Sequence, residues 1–138
     1  MNTEDYVSYQ LALALKKAGF DEPCDHFYYD NGFENDTDMY CLFYKNYNSV
    51  RDRCCSAPTL WQAQKWLREK GIHISVNPYM GYDVDADGTL YNEYPSWGFE
   101  LMDVASAEFM NDAGGNHTSY ESALSAGIAA ALELIEKK

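Results

Sequence analysis

Asp83-Val84-Asp85-Ala86-Asp87-Gly88-Thr89 is the stretch whose residue types and spacing come nearest to a binding chemistry. Carboxylates at alternate positions can converge on one hard cation, and a glycine supplies the sharp turn between them. The run matches the opening of an EF-hand calcium loop, with Asp83, Asp85, Asp87 and Thr89 as candidate metal ligands. The remainder departs from that pattern. The twelfth position holds Tyr94 where a bidentate glutamate belongs, and Glu93 falls one place early. Pro78, Pro95 and Trp97 flank the run where helices would be needed. The same residues suit a hairpin tip, because Asp-Gly is a favoured turn and acids on an open edge deter strand pairing. A hairpin is the expected reading, and calcium binding is the alternative.

Tyr79, Tyr82, Tyr91, Tyr94 and Trp97 surround this acidic run. They belong to a heavy aromatic load of 12 Tyr, 6 Phe and 3 Trp, most of it expected in the core or on a sheet surface. Aromatic side chains are enriched in protein interfaces, and rings beside carboxylates suit a basic partner. These five are the candidate partner-binding residues.

Other reactive types lack a diagnostic arrangement. Cys24, Cys41, Cys54 and Cys55 do not follow a C-x-x-C spacing. Cys24, His26 and the Cys54-Cys55 pair hold enough ligand types for zinc, but buried free thiols are the expectation. His117 follows Gly114-Gly115 just ahead of a helical stretch, without the lysine of a phosphate-binding loop. G-x-S-x-G, H-E-x-x-H and S-x-x-K signatures are missing. The sequence thus offers no catalytic residues and no cofactor beyond the calcium alternative.

Charge separates the two halves of the 138-residue chain. Residues 1–70 hold 11 acids and 8 bases, a net of −3; residues 71–138 hold 11 acids and 2 bases, a net of −9. Those two bases are Lys137 and Lys138, so residues 71–136 contain no Lys or Arg. Nucleic-acid backbones are bound by cationic side chains that release counterions. Direct nucleic-acid binding and docking on anionic membranes are therefore not expected. A polar, acidic beginning without an apolar run predicts a cytoplasmic protein.

Helical and strand periodicities supply the frame. Val7, Leu11, Leu15 and Ala18 predict a helix over 3–18, stopped by Gly19. Residues 25–47 predict a hairpin with an acidic connection, turned at Asp30-Asn31-Gly32 and carrying Asp36 and Asp38. Leu60, Ala63 and Leu67 predict a second helix, capped by Thr59 with Gln62 and ended by Gly71. Ile72, Ile74 and Val76 predict a strand, with Pro78 at its end or on an edge. Two strands around the acidic run follow, with another short one near Ala107–Met110. Leu124, Ile128, Ala131 and Ile135 predict the last helix, capped by Thr118 with Glu121. Leu15–Phe20 and Leu67–Ile72 echo one another, each closing a helix on glycine. The order α-β-β-α-β-β-β-α predicts one α+β domain over 1–138: an antiparallel sheet with helices on one face.

Several stretches together resemble a known group. They are Glu22-Pro23-Cys24, Ala57-Pro58-Thr59, Gln62 to Glu69, Gly71-Ile72-His73-Ile74, Ser119 to Leu124, Gly127-Ile128 and Ala131 to Ile135. In these, about half of its length, the chain is similar to uncharacterised small proteins of gut bacteria and their phages. That resemblance implies a cytoplasmic protein of phage or mobile-element origin and carries no activity to transfer. Thr118, Glu121, Ala123 and Leu124, after extended strands, also resemble the C-terminal third of HicB-type antitoxins. The expected function is a non-enzymatic, acidic protein-interaction module with a basic protein partner. A calcium-binding module and a HicB-like antitoxin are the alternatives.

Overall fold

A computed structural model describes residues 3–29, 39–49, 54–111 and 116–137. Asp30-Asn31-Gly32, Asp36 and Asp38 lie outside the described residues. A 3-10 turn at Thr3–Asp5 leads to helix α1 (Tyr9–Lys17). Strands β1 (Cys24–Tyr29), β2 (Met39–Lys45) and β3 (Cys54–Ser56) follow, then helix α2 (Leu60–Glu69). Strands β4 (Ile72–Val84), β5 (Leu90–Asp103) and β6 (Glu108–Asn111) precede helix α3 (Tyr120–Lys137). The fold is α+β, and its order follows the periodicities, with β3 added.

The strands form two antiparallel sheets where one was expected: β2-β1-β3 and β4-β5-β6. The edges explain the division. After β3 the chain turns at Pro58 into α2, capped by Thr59, whose hydroxyl accepts from the Gln62 amide. On β4 the Ile74 carbonyl already accepts from Gln64 Nε2, and Pro78 has no N–H to offer. The two halves share helix ends but not topology. Gly19 and Gly71 both sit at positive φ, 97° and 91°, yet β1 is central in the first sheet and β5 in the second.

The first helix begins later than its periodicity suggests. Ser8 caps it, accepting from the Leu11 amide at 3.2 Å. Tyr6 and Val7 ahead of it run extended, with the Val7 N–H donating to Pro58 O and Tyr6 bridging Thr59. Val7 is buried by that pairing rather than by a helical stripe. The cap of α3 is likewise Ser119 rather than Thr118, since the Ser122 amide donates to Ser119 Oγ at 3.0 Å.

α3 covers the inner face of β4 and β5, and α2 and α1 pack beside it. The close approach runs through Gly127, where a Cβ would stand 2.9 Å from Ile74 Cγ2 and 3.3 Å from Phe99 Cγ. Ile72, Ile74, Phe99, Leu101, Leu124 and Ile128 meet in this layer. A smaller cluster of Cys24, Phe27, Tyr47 and Cys54 lies on the other side of the first sheet. Cys55 belongs to the main core. Adjacent Cys54 and Cys55 therefore face opposite sides of β3, and one zinc ion cannot take both.

Two buried groups, Cys24 and Tyr28, set an alkaline limit. Burial holds the Cys24 thiol above its ordinary 9.0, against hydrogen bonds that lower it. Burial, with Cys55 adding to it, holds the Tyr28 hydroxyl above its ordinary 10.0. That hydroxyl donates to Val7 O at 2.7 Å. An acid whose folded pKa is raised favours folding below its unfolded pKa and loses that contribution as pH rises through the folded value. Denaturant midpoints are expected to hold up to about pH 8 and to fall by about pH 10. Replacing Cys24 by serine should lessen the fall.

Candidate functional site

Strands β4 and β5 are much longer than the core they serve. Their register runs from Ile72↔Asp103 to Val84↔Leu90, one continuous hairpin. Of the two alternatives for Pro78, the edge holds: the strand continues through it to Val84. Trp97 and His117 exchange both backbone hydrogen bonds, at 2.9 and 3.1 Å, on the side of β5 away from β4. In an antiparallel pair bonding directions alternate along each strand. The N–H that Pro78 lacks would thus point off the outer edge of β4, and that of Pro95 off the opposite edge. Both prolines block strand addition where the arm is open.

Beyond Asn77 and Ser96 the hairpin projects as an arm. One face continues the apolar parity of Ile72, Ile74 and Val76 with Pro78, Met80, Tyr82 and Val84. Met80, Tyr82, Val84 and Leu90 are 39% to 59% exposed, so this apolar row leaves the core and enters solvent. The opposite face carries Tyr79, Tyr94, Tyr91 and Asp83, through the pairs Gly81↔Tyr94 and Asp83↔Tyr91. The five aromatic candidates therefore divide. Tyr79, Tyr91 and Tyr94 share one face, and Tyr82 lies on the other. Trp97 belongs to the base of the hairpin, half-buried and edge-on to Tyr120 with centroids 5.6 Å apart.

A bulge brings the tyrosines into line. β4 takes two steps from Gly81 to Asp83 while β5 takes three from Tyr94 to Tyr91. Asn92, at φ 54°, absorbs the extra residue, a conformation asparagine tolerates. Its Nδ2 donates to Asp83 Oδ2 at 2.8 Å.

The candidate cation loop closes on itself. Asp85 Oδ1 accepts from the amides of Asp87 and Thr89, both at 2.9 Å. The Asp85 amide donates to Thr89 O, and the Gly88 amide to Asp85 O. Asp83 accepts from Asn92, and Asp87 and Thr89 are exposed. Among the described residues no three His, Cys, Asp or Glu side chains gather as a metal site. Excess calcium is expected to leave the unfolding midpoint where a chelator leaves it. A ligand at a hundred times its Kd adds about 2.7 kcal/mol, worth several degrees at this size. Such a rise, abolished by Asp85→Asn, would make the loop a cation site.

Concave regions also lie elsewhere among the described residues. A groove of about 490 Å³ separates α1 from α3, lined by Leu11, Ala14, Ala18, Ala129 and Leu132. An exposed Lys17–Glu136 pair at 2.7 Å stands at its rim. A more polar one of about 430 Å³ lies where α1 and α3 begin, among Ser8, Tyr28, Ser119 and Glu121. His26 is engaged by Asp25 at 2.7 Å and by the Tyr6 ring.

The apolar row Met80, Val84 and Leu90 is the part of the arm that the acids and tyrosines alone do not announce. Its signal is the period-two alternation carried unbroken from Ile72 across Pro78 to Val84. No helix among the described residues is long and apolar enough to cross a membrane. No protein-family model, curated protein or solved structure matches the chain.

Proposed function

We propose that the protein is a non-enzymatic interaction module whose projecting β4–β5 arm docks on a basic protein partner. The carrying observation is the arm's two-faced surface. Residues 78–95 hold Asp83, Asp85, Asp87 and Glu93, a net of −4 with no Lys or Arg. The same segment exposes Met80, Val84 and Leu90 on a face continuous with the core. Large side chains held in solvent on an ordered hairpin mark a contact surface. Carboxylates around them steer a basic partner and repel nucleic acid and anionic lipid. A cytoplasmic protein of phage or mobile-element origin fits this reading, where an acidic arm would neutralise a basic host protein.

Capture by the immobilised chain tests the proposal, beside a variant with Met80, Val84 and Leu90 all replaced by serine. Exposed charges are screened within about 10 Å at 0.1 M salt. Proteins retained at low salt are expected to leave at about 1 M salt and to be lost on the triple variant. Retention that withstands both would place the contact elsewhere.

A further inference from the structure

We infer that the tyrosine face of the arm recognises arginine side chains of an extended partner segment, in preference to lysine. The inference rests on the docking reading above and concerns the opposite face of the same arm. Tyr79, Tyr94 and Tyr91 follow one another along this face, with Asp83 directly across from Tyr91. Alternate residues along a strand stand about 7 Å apart. That step matches the repeat of same-side side chains in an extended segment.

Gly81 makes the middle ring possible. A Cβ there would collide with the Tyr94 ring, standing 2.7 Å from its Cζ and 2.9 Å from its Cδ2. The ring therefore lies across the backbone of β4. Tyr91 and Tyr94 are 52% and 42% exposed. The sequence supplies no Lys or Arg from 71 to 136 to occupy these rings. Two rings outside the arm do receive cations, Lys45 over Tyr47 and Lys70 over Trp66, each at 5.2 Å.

Arginine is the cation that this combination suits. Its planar, weakly hydrated guanidinium stacks on an aromatic face and forks onto a carboxylate. Lysine is a compact, strongly hydrated charge that takes the carboxylate but gains less from the ring. A second copy of the arm brings a like charge of −4 and is repelled.

Two synthetic peptides test the assignment: an Arg-Ser alternating repeat and its Lys-Ser counterpart of equal length. Fluorescence anisotropy reads both against the full chain. The Arg peptide is expected to bind about five- to tenfold tighter, from two or three exposed cation–ring contacts. Tyr79→Leu, Tyr91→Leu and Tyr94→Leu combined should bring it down to the Lys value. Gly81→Val, which displaces the Tyr94 ring alone, should remove part of the preference. Unfolding midpoints of the variants confirm that each is folded. Equal binding of the two peptides overturns the arginine assignment and leaves the docking reading standing. Binding of neither overturns both. A preference that survives the triple leucine variant overturns the tyrosine face as its source.

Discussion

Replacing Phe20 by alanine is expected to cost about 3–5 kcal/mol and to lower the unfolding midpoint by about 10 °C or more. Phe20 follows the glycine that ends α1 and is 1% exposed. Its amide donates to Leu15 O at 2.9 Å, and the Gly19 amide to Lys16 O at 3.1 Å. These two bonds close the helix by satisfying its last carbonyls. The ring then meets Trp66 of α2 edge-on, with centroids 5.4 Å apart. The Phe20 carbonyl accepts from Asn48 Nδ2 at 2.8 Å, and Asn48 Oδ1 accepts from the Ser56 amide at 2.9 Å. One residue thus joins α1 and α2 through its backbone and ring, and reaches the first sheet through Asn48. Alanine retains the backbone bonds and leaves a ring-sized void between two helices that cannot collapse independently. Calorimetry of the variant checks the figure. A fall of only a few degrees would mean that the helices close over the void.

The contrast with the arm shows which features were legible in the sequence. Three helix ends were, because they depend on neighbours in the chain. Gly19, Thr59 and Gly71 act locally, and each stands where its residue type predicts. The start of α1 was not legible. Val7 fits a helical stripe by spacing, but it is buried through pairing with Pro58, a residue distant in sequence. β3 escaped notice because three residues, Cys54-Cys55-Ser56, are too few to establish a period. The division into two sheets depends on which edges are already used, as at Ile74 and Pro78, and a list of strands contains no such information. The arm was half legible. Its acidic turn and tyrosines were conspicuous by type. That Tyr91 and Tyr94 share one face depends on the bulge at Asn92, one extra residue that reverses every later side chain of β5.

Excision of the arm is expected to separate docking from folding. Replacing residues 80–95 by Asn-Gly would join Tyr79 to Ser96 through a two-residue turn. Those two residues face each other in the register. Because Trp97 spends its backbone bonds on His117, Ser96 directs its own toward β4. A two-residue turn closes on such a hydrogen-bonded pair, and Asn-Gly suits its left-handed positions. None of residues 80–95 belongs to either buried cluster. Trp97 keeps Tyr120, Phe99 keeps its place against α3, and the core layer is untouched. The midpoint of the shortened chain should therefore stay within about 3 °C of the original, in line with surface changes of about 0.5 kcal/mol. Retention of the salt-sensitive partner should disappear, along with the preference for the Arg-Ser peptide. An excision that unfolds the protein would make the arm part of the fold. Partner retention at full strength on a folded, armless chain would move the interface to the groove between α1 and α3. The long hairpin makes sense as a docking element only if the domain stands without it, and this one variant measures both halves of that condition.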